Sequence, residues 1–216
     1  DNSVTNSPTV TVNGTTDKAA TVLFSVNSGP TVTAAVNATS FSLPVTLATN
    51  TVNTIVVYAT DLAGNTGTAK RTVLNDEMNP ALAITVPNQD MGTNQTSVTV
   101  SGTVSDLTAV SLVVTCPTAS VGVVSMPTST TWSVGVTNLR QGTNTVTVLA
   151  TDQAGNSTSV VRNIIATPTP VTIDPVRTPT NVSQQLVTGT RELASTVTVS
   201  CATAIVGEVA YPTAST

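Results

Sequence analysis

Two short acidic segments contain the residues of this chain whose types and spacing best suit metal binding. Residues 61–65 read Asp-Leu-Ala-Gly-Asn, and residues 152–156 read Asp-Gln-Ala-Gly-Asn. Carboxylate, carbonyl and amide oxygens are the ligands of calcium, which takes about 6 to 8 of them. The same pattern is also typical of a tight turn, in which Asp bonds its own backbone while Gly and Asn adopt left-handed dihedrals.

The supply of carboxylates decides between these two interpretations. Asp61 and Asp152 each give one carboxylate to their segment. One is too few for calcium unless a neighbouring unit of the chain adds Asp17 or Asp106. We therefore predict tight turns at both segments and no resident cofactor. Calcium held by Asp61 or Asp152 at a junction between units is the alternative.

Two cysteines, Cys116 and Cys201, are the other candidates for chemistry. They occupy the same inward position in consecutive repeats of the chain. Equivalent points one repeat apart lie tens of Å from each other, whereas a disulfide needs a Cα separation below about 7 Å. We expect buried thiols that pack as small apolar groups, with an intermolecular disulfide as the alternative.

The absence of histidine excludes most catalytic chemistry from this sequence. No Ser-His-Asp or Cys-His arrangement and no His-ligated zinc site is available without it. The 11 acidic residues form no evident carboxylate pair, so no enzymatic activity is expected. A net charge of −4 leaves no basic face for nucleic acid. No apolar run approaches the roughly 18 residues of a membrane helix, so no membrane insertion is expected.

The elements that must position these residues are predicted to be β-strands. Thr and Val number 46 and 36 of the 216 residues, and both are β-branched residues that fit a pleated sheet. The chain also repeats itself, since residues 59–65 recur at 150–156 and residues 116–131 recur at 201–216. These offsets of 91 and 85 residues define the repeating unit, of which the chain holds about two and a half.

Within each unit, apolar residues alternate with Thr and Ser, which is the period of a strand with one buried face. Gly, Pro or Asn interrupts the pattern about every 8 to 12 residues, as in a two-sheet antiparallel sandwich. We expect one large aromatic residue to anchor each complete core, Phe41 in the first unit and Trp132 in the second. The predicted inward positions are Val22, Phe24, Val26, Phe41, Leu43, Val45, Ile55, Val57 and Ala59, then Leu112, Val114, Cys116, Trp132, Val134, Val136, Val146, Val148 and Ala150, then Val197, Val199 and Cys201.

Proline-containing segments divide the chain into three modules. Residues 1–77 form the first, whose first strand is expected to be clipped because residues 1–8 contain no matching apolar pair. Residues 78–166 form a complete second module, and residues 167–216 the N-terminal half of a third. A longer chain, or strands from another subunit, would complete that half. Short linkers with proline favour an elongated array.

The last hairpin of the second module resembles a known family. It contains Thr143-Asn144-Thr145-Val146, followed by Ala150-Thr151-Asp152 and Ala154-Gly155-Asn156. This stretch resembles the last hairpin of bacterial immunoglobulin-like domains, including the group similar to the B domain of glucodextranase. The first module departs from it, with Asn50-Thr51-Val52-Asn53 in place of Gln141-Gly142-Thr143-Asn144. The resemblance implies an all-β array of tandem immunoglobulin-like antiparallel sandwiches. It also implies repeats of secreted or surface proteins of bacteria, used as spacers, adhesin stalks or accessory modules.

These observations predict a non-catalytic structural protein of the extracellular space or the bacterial cell surface. We expect a segment of a filament, stalk or surface adhesin, whose partners are other copies of itself or further repeats of the same chain. The alternative is a ligand-binding or carbohydrate-binding accessory module of a larger secreted enzyme or adhesin, with a surface or glycan ligand. Glycan-binding faces present exposed aromatic side chains, and the alternation leaves only Tyr58 and Tyr211 as outward candidates.

Overall fold

The structure is a computed structural model that describes residues 2–167, 171–176, 183–191 and 196–210. Every regular element within these ranges is a β-strand. The first module contains β1 (Asn2–Thr5), β2 (Thr9–Thr15), β3 (Ala20–Val26), β4 (Val32–Thr33), β5 (Ala35–Asn37), β6 (Ser40–Thr46), β7 (Thr51–Asp61) and β8 (Thr66–Asn75). The second contains β9 (Ala81–Val86), β10 (Met91–Thr93), β11 (Ser97–Ser105), β12 (Ser111–Thr115), β13 (Ser120–Val121), β14 (Thr131–Thr137), β15 (Gly142–Thr151) and β16 (Ser157–Ala166).

Each of these two modules is built from two separate sheets. In the first module the sheet orders are β1-β8-β7-β3-β4 and β2-β6-β5. In the second they are β10-β16-β15-β12 and β13-β14-β11-β9. The long hairpins β7–β8 and β15–β16 are antiparallel, and each ends in one of the acidic segments. The prediction of tandem two-sheet sandwiches is confirmed.

The start of the first module contains a strand, β1, that the apolar pattern of residues 1–8 does not predict. β1 pairs in parallel with β8, as β10 pairs in parallel with β16 in the second module. The counterpart of β10 is therefore present, although residues 1–8 lack an apolar pair. β1 is a four-residue edge strand whose described side chains are exposed or half-buried, so its pairing leaves little trace in the apolar pattern. Among the described residues of this module, no strand takes the place of β9 beside the β2 edge.

The cores confirm the alternation predicted from the sequence. In the second module Trp132 is 1% exposed, and Val136, Val146 and Val148 are fully buried around it. In the first module the deepest aromatic side chain is Phe24, also 1% exposed. The predicted anchor Phe41 is only half-buried and packs edge-to-face on Phe24, with 5.6 Å between the ring centroids.

A glycine lies opposite each predicted aromatic anchor. Gly14 pairs with Phe41 between β2 and β6, and Gly102 pairs with Trp132 between β11 and β14. A Cβ atom at Gly14 would overlap the Phe41 ring, and one at Gly102 would overlap the carbonyl oxygen of Ala83. The large ring and the missing side chain are therefore a matched pair, because the ring fills the space over the neighbouring strand.

A buried asparagine near the start of each long hairpin forms hydrogen bonds with the backbone of the preceding loop. Asn53 and Asn144 are both fully buried. The Asn144 side chain accepts hydrogen bonds from Arg140 N and Thr118 Oγ1 and donates to the carbonyl oxygen of Arg140. Asn53 accepts from the backbone N–H of Ala48 and donates to its carbonyl in the same way. The residues just before Asn53 differ from those just before Asn144, but the two asparagine side chains make equivalent hydrogen bonds to the preceding connection.

The third unit shows only part of the predicted pattern. Thr172 N donates to Thr190 O, and Asp174 N donates to Thr188 O, which matches the pairing of β9 with β11. The described part of residues 167–216 contains no regular strand. The predicted inward position of Val199 is wrong, since this side chain is 43% exposed. In the second module the equivalent face is covered by a second layer that no described residue of the third unit supplies.

Candidate metal centre at the junction of the modules

The segment between the first two modules is fixed to both of them through one residue, Asp76, which is fully buried. Its backbone N–H donates to Thr5 O in the first module over 2.8 Å. Its carbonyl oxygen accepts a 2.8 Å hydrogen bond from Asn156 Nδ2 of the second module. Asn6 of the first module donates to Asn156 Oδ1 over 3.2 Å. Asp76 and Asn156 therefore set how the second module follows the first.

Three carboxylates meet at this junction. Asp76, Asp106 and Asp152 each place one carboxylate oxygen within 4.8 Å of the other two. Asp152 is 7% exposed and Asp106 is partly buried. Asp106 Oδ1 is inaccessible and accepts no hydrogen bond from any residue that the structure describes. Such an oxygen lacks the donor that a buried carboxylate normally has.

Hydrogen bonds from neighbouring groups hold the other carboxylate oxygens in place. Thr108 Oγ1 lies 3.0 Å from Asp76 Oδ2 and 3.1 Å from Asp106 Oδ2, and its single proton serves one of them at a time. Thr108 N donates to Asp106 Oδ2. Met78 N donates to Asp76 Oδ1. The three side chains are thus oriented towards one another by the backbone around them.

The turn at Asp152 is the tight turn that the sequence predicts. Asn156 N donates to Asp152 Oδ1 over 2.8 Å, and Asn156 Nδ2 donates to Asp152 Oδ2 over 2.7 Å. Gly155 has a φ of 96°, a left-handed conformation that suits glycine. The Asp61 turn has the same bonds from Asn65, and Gly64 has a φ of 88°.

The equivalent turn of the first module has a different electrostatic environment. Lys18 Nζ lies 2.9 Å from Asp61 Oδ2. The hydrogen bond from the Asn65 side chain, followed by that from Lys18, holds the pKa of Asp61 well below its usual range. The hydrogen bond to Asp61 and the negative charge of Asp61 raise the pKa of Lys18, and the charge of Asp17 raises it further.

The four acids considered in the sequence analysis therefore lie in different surroundings. It brings Asp152 and Asp106 together at a junction, and it leaves Asp61 paired with Lys18. Asp17 is not a member of the cluster. Sequence reasoning missed Asp76. Its position at the end of β8, in a segment that closes with the buried Pro80, is the only signal that could have pointed to it.

The two cysteines also differ in environment. Cys116 is 6% exposed, with its Sγ 3.6 Å from Thr118 Oγ1, so the prediction of a buried thiol is confirmed there. The same prediction is wrong for Cys201, which is exposed. A hydrogen bond from the Thr203 backbone lowers the pKa of the Cys201 thiol. Both thiols are free.

The aromatic candidates for glycan binding give little support to that alternative. Tyr58 is only partly exposed, and its backbone pairs with Leu23 in the middle of the first module's larger sheet. Tyr211 lies outside the described residues. No helix in the described ranges is long and apolar enough to cross a bilayer.

The two sandwiches in tandem, each built from two β-sheets, are immunoglobulin-like modules. The chain belongs to the family of glucodextranase domain B, whose model matches residues 1–77 and 80–167. The two matches fall on the two pairs of sheets. No curated protein sequence matches the chain.

Solved structures of similar fold include modules from several kinds of protein. The fibronectin(III)-like modules of CbhA from Clostridium thermocellum are 14% identical, with a TM-score of 0.44, over 77% of this chain and 90% of that chain. A 1.5-MDa bacterial ice-binding adhesin is 21% identical, with a TM-score of 0.38, over 82% and 66%. Invasin, a bacterial integrin-binding protein, is 17% identical, with a TM-score of 0.31, over 80% and 40%.

Proposed function

We propose that this chain is a non-catalytic structural segment of an extracellular bacterial filament, stalk or surface adhesin. In this role the two sandwiches hold whatever lies at either end at a fixed separation and orientation. Its partners would be further repeats of the same chain or other copies of itself. The observation that carries the proposal is the junction, where the fully buried Asp76 is hydrogen-bonded to both modules.

A spacer needs modules that are stable by themselves and a connection that does not bend freely. The first requirement is supported by two separate apolar cores, one around Phe24 and one around Trp132. The second is supported by the short path from β8, which ends at Asn75, to β9, which begins at Ala81. Within this path Asp76 and Pro80 are buried and hold its two ends, while the three residues between them are exposed. A path of five residues that is fixed at both ends has little freedom to bend.

Measurement of ¹⁵N relaxation and residual dipolar couplings on the whole chain tests this proposal. We expect residues 9–75 and 81–166 to share one alignment tensor and one rotational correlation time, because the junction couples them. Two different tensors, with the shorter correlation time of a single module, would contradict the spacer role.

Binding to glycans distinguishes the alternative of an accessory module. Affinity electrophoresis in gels that contain soluble α- and β-glucans measures weak binding directly. We expect no retardation of the chain relative to an inert protein of similar size. Retardation that free glucan competes away would favour the accessory module over the spacer.

A further inference from the structure

We infer that Asp76, Asp106 and Asp152 bind one calcium ion, which locks the second module onto the first. This inference rests on the proposed structural function and names what regulates its rigidity. It requires that the three acids form a cation site rather than a hydrogen-bonded polar cluster.

The first argument is uncompensated charge. Within the described ranges, Lys18 pairs with Asp61 and Arg162 with Asp90, and no ion pair joins a lysine or arginine to any of the three carboxylates. Asp76 is fully buried and Asp152 nearly so. Buried carboxylates without a counter-charge are strongly unfavourable, and proteins normally pair them or use them to coordinate a metal. A divalent cation would supply the missing positive charge.

The second argument is the missing donor at Asp106. Its Oδ1 atom is inaccessible and has no hydrogen-bond partner among the described residues. The nearest hydroxyl, Thr108 Oγ1, is shared between Asp76 and the other oxygen of Asp106. The cluster therefore offers more acceptor oxygens than its neighbours have protons to donate. A cation satisfies such acceptors, whereas another hydrogen-bond acceptor would not.

The third argument is size. Calcium binds oxygens at about 2.3–2.6 Å, so two of its ligands lie at most about 5 Å apart. The three carboxylate oxygens, all within 4.8 Å of one another, fit within one such shell. Magnesium demands a tighter octahedron with oxygens at about 2.0–2.1 Å and gives up its waters reluctantly. Calcium is therefore the better match.

A comparison between the two modules supports the same conclusion. The sequence Gly-Thr-Thr-Asp17-Lys18 of the first module aligns with Gly-Thr-Val-Ser-Asp106-Leu107 of the second, which has one additional residue before the aspartate. Lys18 neutralises the Asp61 turn, whereas its counterpart Leu107 is uncharged and 50% exposed. At the position of Lys18 the second module therefore has no cation, and the linker adds the carboxylate of Asp76 near its turn instead.

The residue that follows the last strand of the second module is not acidic, unlike Asp76 after the last strand of the first. Thr167 N donates to Thr93 O at the end of the second module, as Asp76 N donates to Thr5 O at the end of the first, and both distances are 2.8 Å. Thr167 thus holds the position of Asp76 in the repeat, but it has no carboxylate. We accordingly expect one calcium ion for each copy of this chain.

Thermal unfolding of the full chain, followed by the fluorescence of Trp132, tests the site. Trp132 is the chain's single tryptophan and lies in the core of the second module, so its signal reports the module that holds two of the three ligands. We expect the midpoint to rise by about 5 °C or more in 5 mM CaCl₂ relative to EGTA, since a ligand stabilises the state that binds it. MgCl₂ should give a clearly smaller rise. An unchanged midpoint in calcium would overturn the inference.

Two variants separate a cation site from a polar cluster. Asp106→Asn should remove the calcium-dependent rise. In EGTA it should unfold at or above the wild-type temperature, because it removes one of three repelling charges. The matched control Asp61→Asn alters the equivalent turn of the first module and should leave the calcium-dependent rise of the Trp132 transition unchanged. If Asp106→Asn keeps that rise, the ion binds elsewhere and the assignment is wrong. Asp76→Asn repeats the test without altering the second module.

Titration calorimetry and NMR keep this inference distinct from the proposed function. One calcium per chain is expected, with no heat from Asp106→Asn. If calcium does not bind but the modules share one alignment tensor in EGTA, the calcium site fails and the spacer role stands. If calcium binds while the modules tumble independently, the site stands and the spacer role fails.

Discussion

At the scale of single residues, the same Asp-x-Ala-Gly-Asn turn serves two different environments. In the first module the Asp61 carboxylate accepts hydrogen bonds from Asn65 and from Lys18. In the second, the Asp152 carboxylate keeps the bonds from Asn156 but lies among other acids. The turn is thus a property of the local sequence, whereas its charge balance depends on which residues the rest of the fold brings near.

The Asp61 turn predicts a defined dependence on pH. Because folding lowers the pKa of Asp61, its contribution to stability is fully present above the pKa of the unfolded chain, near 4, and is lost as the pH falls through the lower folded value. In ¹³C NMR titrations, the Asp61 carboxyl signal should therefore stay at its ionised position from pH 7 to below 4.

Two substitutions identify the cause of this shift. Asn65→Ala should raise the pKa of Asp61 more than Lys18→Met does, because the hydrogen bond from the Asn65 side chain is its largest cause. A wild-type Asp61 signal with a midpoint at the usual value for aspartate would contradict the assignment. Equal effects of the two substitutions would contradict the order of the causes.

At the scale of strands and sheets, the pairing of a glycine with an aromatic ring fixes how closely β9 and β11 approach the core. Gly102 lies between Trp132 and the carbonyl of Ala83, and the register of β9 against β11 shifts at this residue. Gly14 has the same relation to Phe41, but no described strand of the first module lies on its other side. The equivalent glycines are therefore under different steric restraint.

This difference predicts the effects of added methyl groups. Gly102→Ala should lower the free energy of unfolding of the second module by about 3 kcal/mol, because the new Cβ meets backbone that cannot rotate away. Gly135→Ala is the matched control in β14, since a Cβ there meets nothing within 4 Å. We expect it to be neutral or to stabilise by up to about 1 kcal/mol.

Urea unfolding followed by Trp132 fluorescence measures both changes. Gly14→Ala, read through the first module, should cost less than Gly102→Ala. In that case the obstacle is the half-buried Phe41 ring, which lies over the edge strand β2, and a side chain can shift where backbone cannot. Equal losses for Gly102→Ala and Gly135→Ala would show that the close approach of the Ala83 backbone does not restrict this site.

At the scale of the whole molecule, the connection between modules depends on very few polar contacts. Asn156 makes two of them, to the carbonyl oxygen of Asp76 and from the side chain of Asn6. Thr108 makes another through the Asp76 carboxylate. The cores on either side are separate clusters of buried residues. The orientation of the modules can therefore change without a change in the stability of either core.

Asn156→Ala should loosen the junction and leave both sandwiches folded. Each lost hydrogen bond contributes about 0.5–1.5 kcal/mol, so the two modules should take different alignment tensors. Asn65→Ala is the matched control, because it removes the equivalent bond within the Asp61 turn but touches no linker residue. Identical tensors in the wild type and in Asn156→Ala would show that other contacts fix the orientation.

The sequence alone was sufficient for the fold and for the two turns. Alternation places Val22, Trp132 and Val148 in cores because the direction of a strand side chain depends only on its position in the strand. The turns follow from residues within five positions of one another. The offset of 91 residues relates the two modules by sequence alone.

Only the tertiary structure decided which of these residues come together. Asp76 lies 30 residues from Asp106 and 76 from Asp152, in a linker without any periodic pattern, so no local rule predicts their meeting. It depends on where β8 ends and on how the second module packs against it. The exposure of Cys201, which repeats the position of Cys116, has the same origin. Alternation decides which way a side chain points, but burial requires a second layer of structure to cover it.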